Sequence, residues 1–271
     1  MEPNKIYCED CIDTMSRMED NFIDLTVTSP PYDNLRTYND NIDETWNESV
    51  WKPIIKELYR VTKEGGVVVW VVGDATINGS ESGVSFNQAL WAKEVGFRLH
   101  DTMIYFRLNQ YPGNVRYRQD FEYMFVWSKG KPKSINIIKD KKNISAGKSA
   151  RKTSKLKSNG ERIDEKKRKG QTYSDYGERS NMWVVDNPGG NNTDKLAYNH
   201  PAVYPEELPK DHIKSWSNEG DLVYDPFMGS GTTAKMAHLL KRDWIGSELS
   251  QEYVDLAYKR LEKYLTQGML F

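Results

Sequence analysis

Apolar residues recur along this chain in two alternating rhythms. Short runs rich in valine, isoleucine and aromatic residues predict strands over residues 5–8, 23–27, 67–72, 102–106, 122–127, 222–224 and 244–247. Between them, apolar positions at helical spacing predict helices over residues 12–18, 50–61, 85–95, from 206 to about 216, 234–240 and 250–265. Val50, Ile54, Leu58 and Val61 mark the inward face of the second helix, and Gly65-Gly66 is expected to cap its end. The run Val67-Val68-Val69-Trp70-Val71-Val72 has no polar alternation, as expected for a strand covered on both faces. Ser250 is a good N-cap for the last helix. Strands alternating with helices imply an α/β fold with a mostly parallel sheet and helices on both faces.

A length of 271 residues suits one large domain, or one domain carrying an insert. The longest apolar stretch, residues 67–72, is far short of a membrane span. Two cysteines and an N-terminus without signal-peptide character suggest a reducing cytoplasm. The net charge of −1 argues against a nucleic-acid binder, but it hides an asymmetry. Residues 129–169 hold sixteen Lys/Arg against four Asp/Glu, a balance of about +12, so the remainder carries about −13. Such a run is either a footprint for a polyanion or a solvated loop.

The first chemical motif follows the predicted strand at 23–27. In Ser29-Pro30-Pro31-Tyr32 two prolines fix the backbone and remove donors, so nearby carbonyls are available as acceptors. Tyr32 offers an aromatic face to a flat, amine-bearing ring. The competing reading is a polyproline turn or peptide ligand. Position at a strand end, where ligand sites form in open α/β sheets, favours a site.

The second motif, Asp225-Pro226-Phe227-Met228-Gly229-Ser230-Gly231-Thr232-Thr233-Ala234, spans a strand-to-helix junction. Its glycines permit a tight turn and close approach of a ligand to the backbone. Glu248 lies nineteen residues after Gly229, at the end of the next predicted strand, where a carboxylate suits two ribose hydroxyls. The stretch also fits Gly-x-Gly-x-x-Ala of nicotinamide enzymes, but an Asp directly ending the strand is unusual there. A single-nucleoside cofactor fits better. Cys8-Glu9-Asp10-Cys11 has the spacing of a redox or zinc pair, yet no second pair accompanies it and the four histidines are scattered.

Together, Ser29-Pro30-Pro31-Tyr32 and Asp225-Pro226-Phe227-Met228-Gly229-Ser230-Gly231-Thr232-Thr233 resemble the catalytic and cofactor motifs of DNA amino-methyltransferases. Catalytic motif first and cofactor motif last is similar to the β arrangement of that family. The stretch from His200 through Pro205 to Leu208 and that from Ile245 to Tyr253 also resemble it. The resemblance implies a Rossmann-like S-adenosylmethionine-dependent methyltransferase fold. The catalytic domain would comprise residues 1–128 and 182–271, with 129–181 an inserted basic target-recognition region helped by 109–118.

The same resemblance implies that Ser29, Pro30, Pro31 and Tyr32 hold a flipped base. It implies S-adenosylmethionine bound by Asp225, Phe227, Gly229, Ser230, Gly231 and Thr232, with Asp10, Cys11 and Glu248 on other sides. Ser29 at the head of its motif looks like the enzymes that methylate cytosine N4; those acting on adenine N6 usually carry Asp or Asn there. The implied partners are double-stranded DNA, a second copy in a homodimer and a separate cognate restriction endonuclease, with no metal and no membrane. A catalytically silent DNA-binding module is the competing class.

Overall fold

The computed structural model describes residues 1–31, 46–107, 117, 119–149, 154–164, 172–185 and 205–265. Two compact units emerge: Met1–Asn136 with Asn181–Phe271, and Ile137–Ser180. The first unit opens with β1 (Lys5–Cys8), α1 (Cys11–Ser16), β2 (Ile23–Thr28), α2 (Glu48–Val61) and β3 (Thr62–Val72). A small hairpin of β4 (Thr76–Ile77) and β5 (Ser80–Glu81) leads to α3 (Val84–Val95), β6 (Arg98–Arg107) and β7 (Phe121–Ser128). The second unit holds β8 (Lys141–Lys142), β9 (Ser154–Leu156), β10 (Arg162–Asp164) and β11 (Tyr176–Gly177). The first unit resumes with β12 (Met182–Val185), α4 (Glu207–Trp216), β13 (Leu222–Asp225), α5 (Thr232–Leu239), β14 (Asp243–Glu248) and α6 (Gln251–Leu265).

Eight strands form one sheet in the order β1-β14-β13-β2-β3-β7-β6-β12. The five strands from β1 to β3 run parallel, β7 is antiparallel to both of its neighbours, and β12 lies parallel to β6. The apolar run of β3 explains the layering. Val67, Val69 and Val71 join Leu25 and Val27 in a core covered by α4, α5 and α6. Val68, Trp70 and Val72 face the other way, into a core built with α1, α2 and α3. Trp51, Ile54, Ile55, Leu58 and Val61 form the buried stripe of α2, whose N-cap Asn47 accepts from the Ser49 N–H at 2.8 Å.

Gly65 and Gly66 have a different role from helix capping. Helix α2 stops at Val61, its C-cap Thr62 turns to extended backbone, and the Thr62 hydroxyl bonds to the Leu58 carbonyl at 2.5 Å. The chain enters β3 directly, with a register shift in which Ile23 pairs with Thr62 but Leu25 pairs with Val67. The glycines occupy that bulge. Gly65 sits at φ +78, and a Cβ on Gly66 would come within 2.8 Å of the Lys63 carbonyl and 3.0 Å of the Asp24 carbonyl.

Residues 129–136 belong to the first unit, although their lysines read as the start of the basic insert. Lys129 donates to Asn21 Oδ1 at 2.9 Å and to the Tyr59 carbonyl at 3.0 Å. Lys133 and Lys63 each bond to the buried Asp24 at 2.7 Å. Burial opposes ionisation of Asp24, but the bonds from Lys133 and Lys63 outweigh it and hold the carboxyl below its usual range. Strand β12 was not expected. It is an edge strand of alternating exposure whose Trp183 stacks on His212 of α4 with centroids 4.4 Å apart. The second unit pairs β8 with β11 and β9 with β10, both antiparallel, and is closed by an Arg179–Asp140 ion pair.

Gly66→Ala should destabilise the protein by about 1–3 kcal/mol, since backbone atoms must move to admit the methyl. Urea denaturation measures this; unchanged stability would contradict the close approach at the bulge.

Candidate active site

The strand order brings the separated motifs together. At their carboxyl ends β1, β14, β13 and β2 deliver, side by side, Cys8 followed by Asp10, then Glu248, Asp225 and Thr28 followed by Ser29. Connections leave β2 towards β3 and β13 towards β14, in opposite directions along the sheet. A crevice at such a switch point is the usual ligand site of an open α/β sheet.

One buried hydrogen bond ties the halves: Thr28 Oγ1 donates to Asp225 Oδ1 at 2.7 Å across 197 residues of sequence. The Phe227 N–H reaches the same oxygen at 3.0 Å, and Thr233 Oγ1 donates to the Val27 carbonyl at 3.3 Å. Burial pushes the Asp225 carboxyl up to about 6, against the opposing bonds from Thr28, Thr233 and the Phe227 N–H. Ser29 and Pro31 are half-buried and Pro30 is buried immediately beyond this link. Tyr32, expected to stack on the base, lies outside the described residues, as do most of 109–118 and His200 to Tyr204.

The glycine turn is held from several directions. Glu248 Oε2 accepts from the Gly229 N–H at 2.8 Å, and its other oxygen accepts from the Ser250 N–H at 3.0 Å. Burial raises the Glu248 carboxyl above its usual range, opposed by these two bonds. Gly231, at φ +79, is the left-handed residue from which α5 starts. A Cβ there would lie 2.8 Å from the Ala257 Cβ of α6, so the glycine permits both the turn and the helix packing.

Ser230 and Thr232 have their hydroxyls on Arg260 of α6, whose Nη1 lies 2.8 Å from Ser230 Oγ and 3.2 Å from Thr232 Oγ1. The same nitrogen donates to the Ser230 carbonyl. Phe227 meets Trp46 and Trp70 edge-on, with centroids 5.5 and 6.2 Å away. Asp10 is exposed and caps α1, accepting from the Ile12 N–H at 2.7 Å. Cys11 is buried in the core, where burial pushes its thiol up, so it stays protonated and is no thiolate ligand. Cys8 and Cys11 are both free, and among the described residues no group of three or more His, Cys, Asp or Glu is arranged to hold a metal ion.

Thr28 and Arg260 join the candidate site without belonging to either motif. Arg260 had a legible signal: it falls on the same face of α6 as the buried Tyr253, Val254, Ala257 and Leu261. A charge on an apolar stripe needs partners, and here they lie in the glycine turn.

A parallel sheet with one antiparallel strand, an acidic glycine turn and a Ser-Pro-Pro segment beside it is the architecture of a Rossmann-like methyltransferase. The chain belongs to the DNA methylase family of N6- and N4-type enzymes, whose family model matches residues 23–259. That family transfers methyl groups from S-adenosylmethionine to amino groups of DNA, and membership sets aside the nicotinamide reading. The chain is 55% identical over 249 residues to the orphan methyltransferase M.BamHII of Bacillus amyloliquefaciens, covering 90% of each. Among solved structures, it resembles the PvuII DNA methyltransferase (cytosine-N4-specific), with a TM-score of 0.68, 21% identity and coverage of 98% of this chain and 91% of that one. It also resembles M1.HpyAVI in its complex with S-adenosylmethionine, with a TM-score of 0.60, 24% identity and coverage of 95% and 98%. No helix among the described residues is long and apolar enough to cross a membrane.

The raised Asp225 pKa has a signed consequence. Between roughly pH 4 and pH 6 the unfolded chain releases this proton while the folded chain keeps it, so this group's contribution to stability falls as pH rises. Asp225→Asn removes that titration. The stability of the variant relative to wild type should therefore rise by roughly 2–3 kcal/mol from pH 4 to pH 7, at about 1.4 kcal/mol per pKa unit. Parallel urea titrations at four pH values check this; a difference constant with pH would refute it.

Proposed function

We propose that this protein transfers a methyl group from S-adenosylmethionine to the exocyclic N4 of a cytosine flipped out of duplex DNA. The observation that carries this reading is the Thr28–Asp225 bond, which couples the strand leading into Ser29-Pro30-Pro31 to the strand leading into the glycine turn. Donor and acceptor motifs thereby share one rigid edge of the sheet. Ser29 as the head of its motif supports cytosine over adenine.

The residues fit the cofactor. Each oxygen of Glu248 accepts one backbone N–H and keeps a lone pair for a ribose hydroxyl. The glycine turn allows close backbone approach, and Phe227 supplies an apolar wall. Asp10 and Cys11, at the end of the neighbouring strand, border the adenine side. Ser230 and Thr232 act indirectly, by fixing the turn against Arg260. When bound, S-adenosylmethionine supplies an electrophilic methyl on a sulfonium.

An exocyclic amine is a poor nucleophile because its lone pair is delocalised into the ring. Ser29 Oγ and the Pro30 carbonyl accept its N–H groups and favour a tetrahedral nitrogen with the lone pair turned outward. So turned, the nitrogen would be placed to take a methyl group from the bound sulfonium, and one amine proton would leave to water. Holding both partners in place is worth roughly 7–11 kcal/mol, so no covalent nucleophile is required. Tyr32 stacks on the extruded base, offsetting by roughly 1–3 kcal/mol the few kcal/mol of unstacking.

The second unit, with the basic run that continues through Lys169, is the target-recognition element. Its lysines meet phosphates, while arginine and amide side chains read base edges. A restriction endonuclease, where one is paired with this enzyme, acts as a separate chain; the relative at 55% identity bears the name orphan, so methylation alone is the form to test first.

Sequencing that detects modified bases on DNA incubated with enzyme and cofactor should find N4-methylcytosine at one recurring site. N6-methyladenine instead would overturn the cytosine assignment. Ser29→Ala should lower kcat at least about 10-fold, the equivalent of about 1.4 kcal/mol, with cofactor affinity retained; an unchanged kcat would remove Ser29 from the catalytic machinery, and no methyl transfer by the wild type would favour a silent DNA-binding module. Glu248→Ala should raise the cofactor Kd by about 10- to 100-fold, as expected for losing charge-assisted hydrogen bonds. Calorimetry showing native affinity in that variant would remove the ribose role.

A further inference from the structure

Arg260 lies outside both motifs, yet its guanidinium is directed at the glycine turn. It is buried, with a side-chain exposure of 1%, and it sits at an inward position of α6 that its neighbours fill with apolar groups. Its Nη1 lies on the turn and the first residue of α5, against the Ser230 carbonyl, Ser230 Oγ and Thr232 Oγ1. Its Nη2 reaches Glu206 Oε1 at 3.4 Å, and Lys235 of α5 reaches the same oxygen at 2.5 Å. One carboxylate at the entry of α4 therefore gathers cations from α5 and α6 behind the turn.

The hydrogen bonds act on identifiable peptide planes. The Ser230 carbonyl and the Gly231 N–H belong to one peptide group. Arg260 holds the carbonyl, and the Met228 carbonyl holds the N–H at 2.9 Å. The peptide between Met228 and Gly229 is fixed in turn by Glu248, at 2.8 Å from the Gly229 N–H. A glycine-rich segment has many backbone conformations to lose on binding a ligand. Locking two of its peptide groups beforehand removes that loss from the binding step.

We infer that Arg260 is a positioning residue for the cofactor: together with Glu206 and Lys235 it preorganises the Gly229–Gly231 turn and sets the affinity for S-adenosylmethionine without touching the reacting atoms. This rests on the assignment of the glycine turn to the cofactor, which Glu248→Ala tests separately.

The test compares Arg260→Met, Arg260→Lys and Glu206→Gln with Arg242→Met. Arg242 is a comparably bonded arginine, with Nε 3.0 Å from Ser217 Oγ and Nη2 2.8 Å from the Ser217 carbonyl, at the opposite end of β14. Calorimetric titration with S-adenosylmethionine, the KM for it, kcat at saturation and Tm are read for each. Arg260→Met should raise the cofactor Kd and KM about 10-fold or more, and leave kcat within about threefold. Arg260→Lys should fall between that variant and wild type, since one ammonium cannot span both Ser230 and Glu206. Glu206→Gln should raise Kd about threefold, and Arg242→Met should lower Tm while leaving Kd within about twofold.

A folded Arg260→Met with Kd within about twofold of wild type overturns the inference; if it does not fold, Arg260→Lys decides by the same criterion. An equal rise in Kd in Arg242→Met also overturns it, because general destabilisation would then suffice. Glu248→Ala separates the two readings. If it weakens binding while the Arg260 variants do not, only the positioning role fails; if none weakens binding, the turn is not the cofactor site.

Discussion

The hydrogen bond from Thr28 to Asp225 is the constraint on which the candidate site depends. Strands β2 and β13 share only two register pairs, Leu25 with Val223 and Thr26 with Tyr224. Beyond them the chains part towards Ser29 on one side and the glycine turn on the other. The side-chain bond continues the connection where the backbone ladder stops. Both groups are buried, so breaking it would leave the Thr28 hydroxyl without this acceptor at about 1–3 kcal/mol, while the Asp225 carboxyl would keep the Phe227 N–H. Asp225 is thus tied to the strand that leads into Ser29, and relative sliding of β2 and β13 is resisted at that edge of the sheet.

Around that link, flexibility is confined by opposite charges acting on neighbouring peptides. Glu248 takes the Gly229 N–H and Arg260 takes the Ser230 carbonyl, so an acid and a base hold successive parts of one turn. The glycines are there because the backbone must pass close to α6 and adopt positive φ at Gly231, and the price is conformational freedom. Side chains from β14 and α6 remove most of that freedom again. The glycine turn is therefore a rigid element made from a permissive sequence.

Much of this was legible from residues alone. The six-residue apolar run of β3 announced a strand covered on both faces, and the spacing of Ile54, Leu58 and Val61 announced α2. The two motifs announced the family because their residue types and positions are local. What escaped had a non-local cause. Gly65 and Gly66 look like a helix stop, but their geometry answers to Asp24 and Lys133, far away in sequence. Lys129 and Lys133 look like part of a charge run, but each is spent on acceptors in the body of the fold. The edge strand at Met182–Val185 is short and follows the basic region in sequence, so period alone does not separate it. Thr28 is silent in sequence because its partner is 197 residues away, and Arg260 shows only as a charge on an apolar helix face.

The pairing of β1 with β14 bears on how this molecule comes into being. Lys5 to Cys8 register with Ile245 to Glu248, and Asn4 bonds to Asp243 at 2.8 Å across 239 residues. Strand β1 therefore waits for more than 230 further residues to be synthesised before its neighbour exists. Thr28 likewise waits for Asp225. Long-range parallel pairing of this kind folds slowly, because a large loop must close before its contacts form. The edge of the sheet where β1, β14, β13 and β2 end side by side is therefore assembled only after strands far apart in synthesis have met.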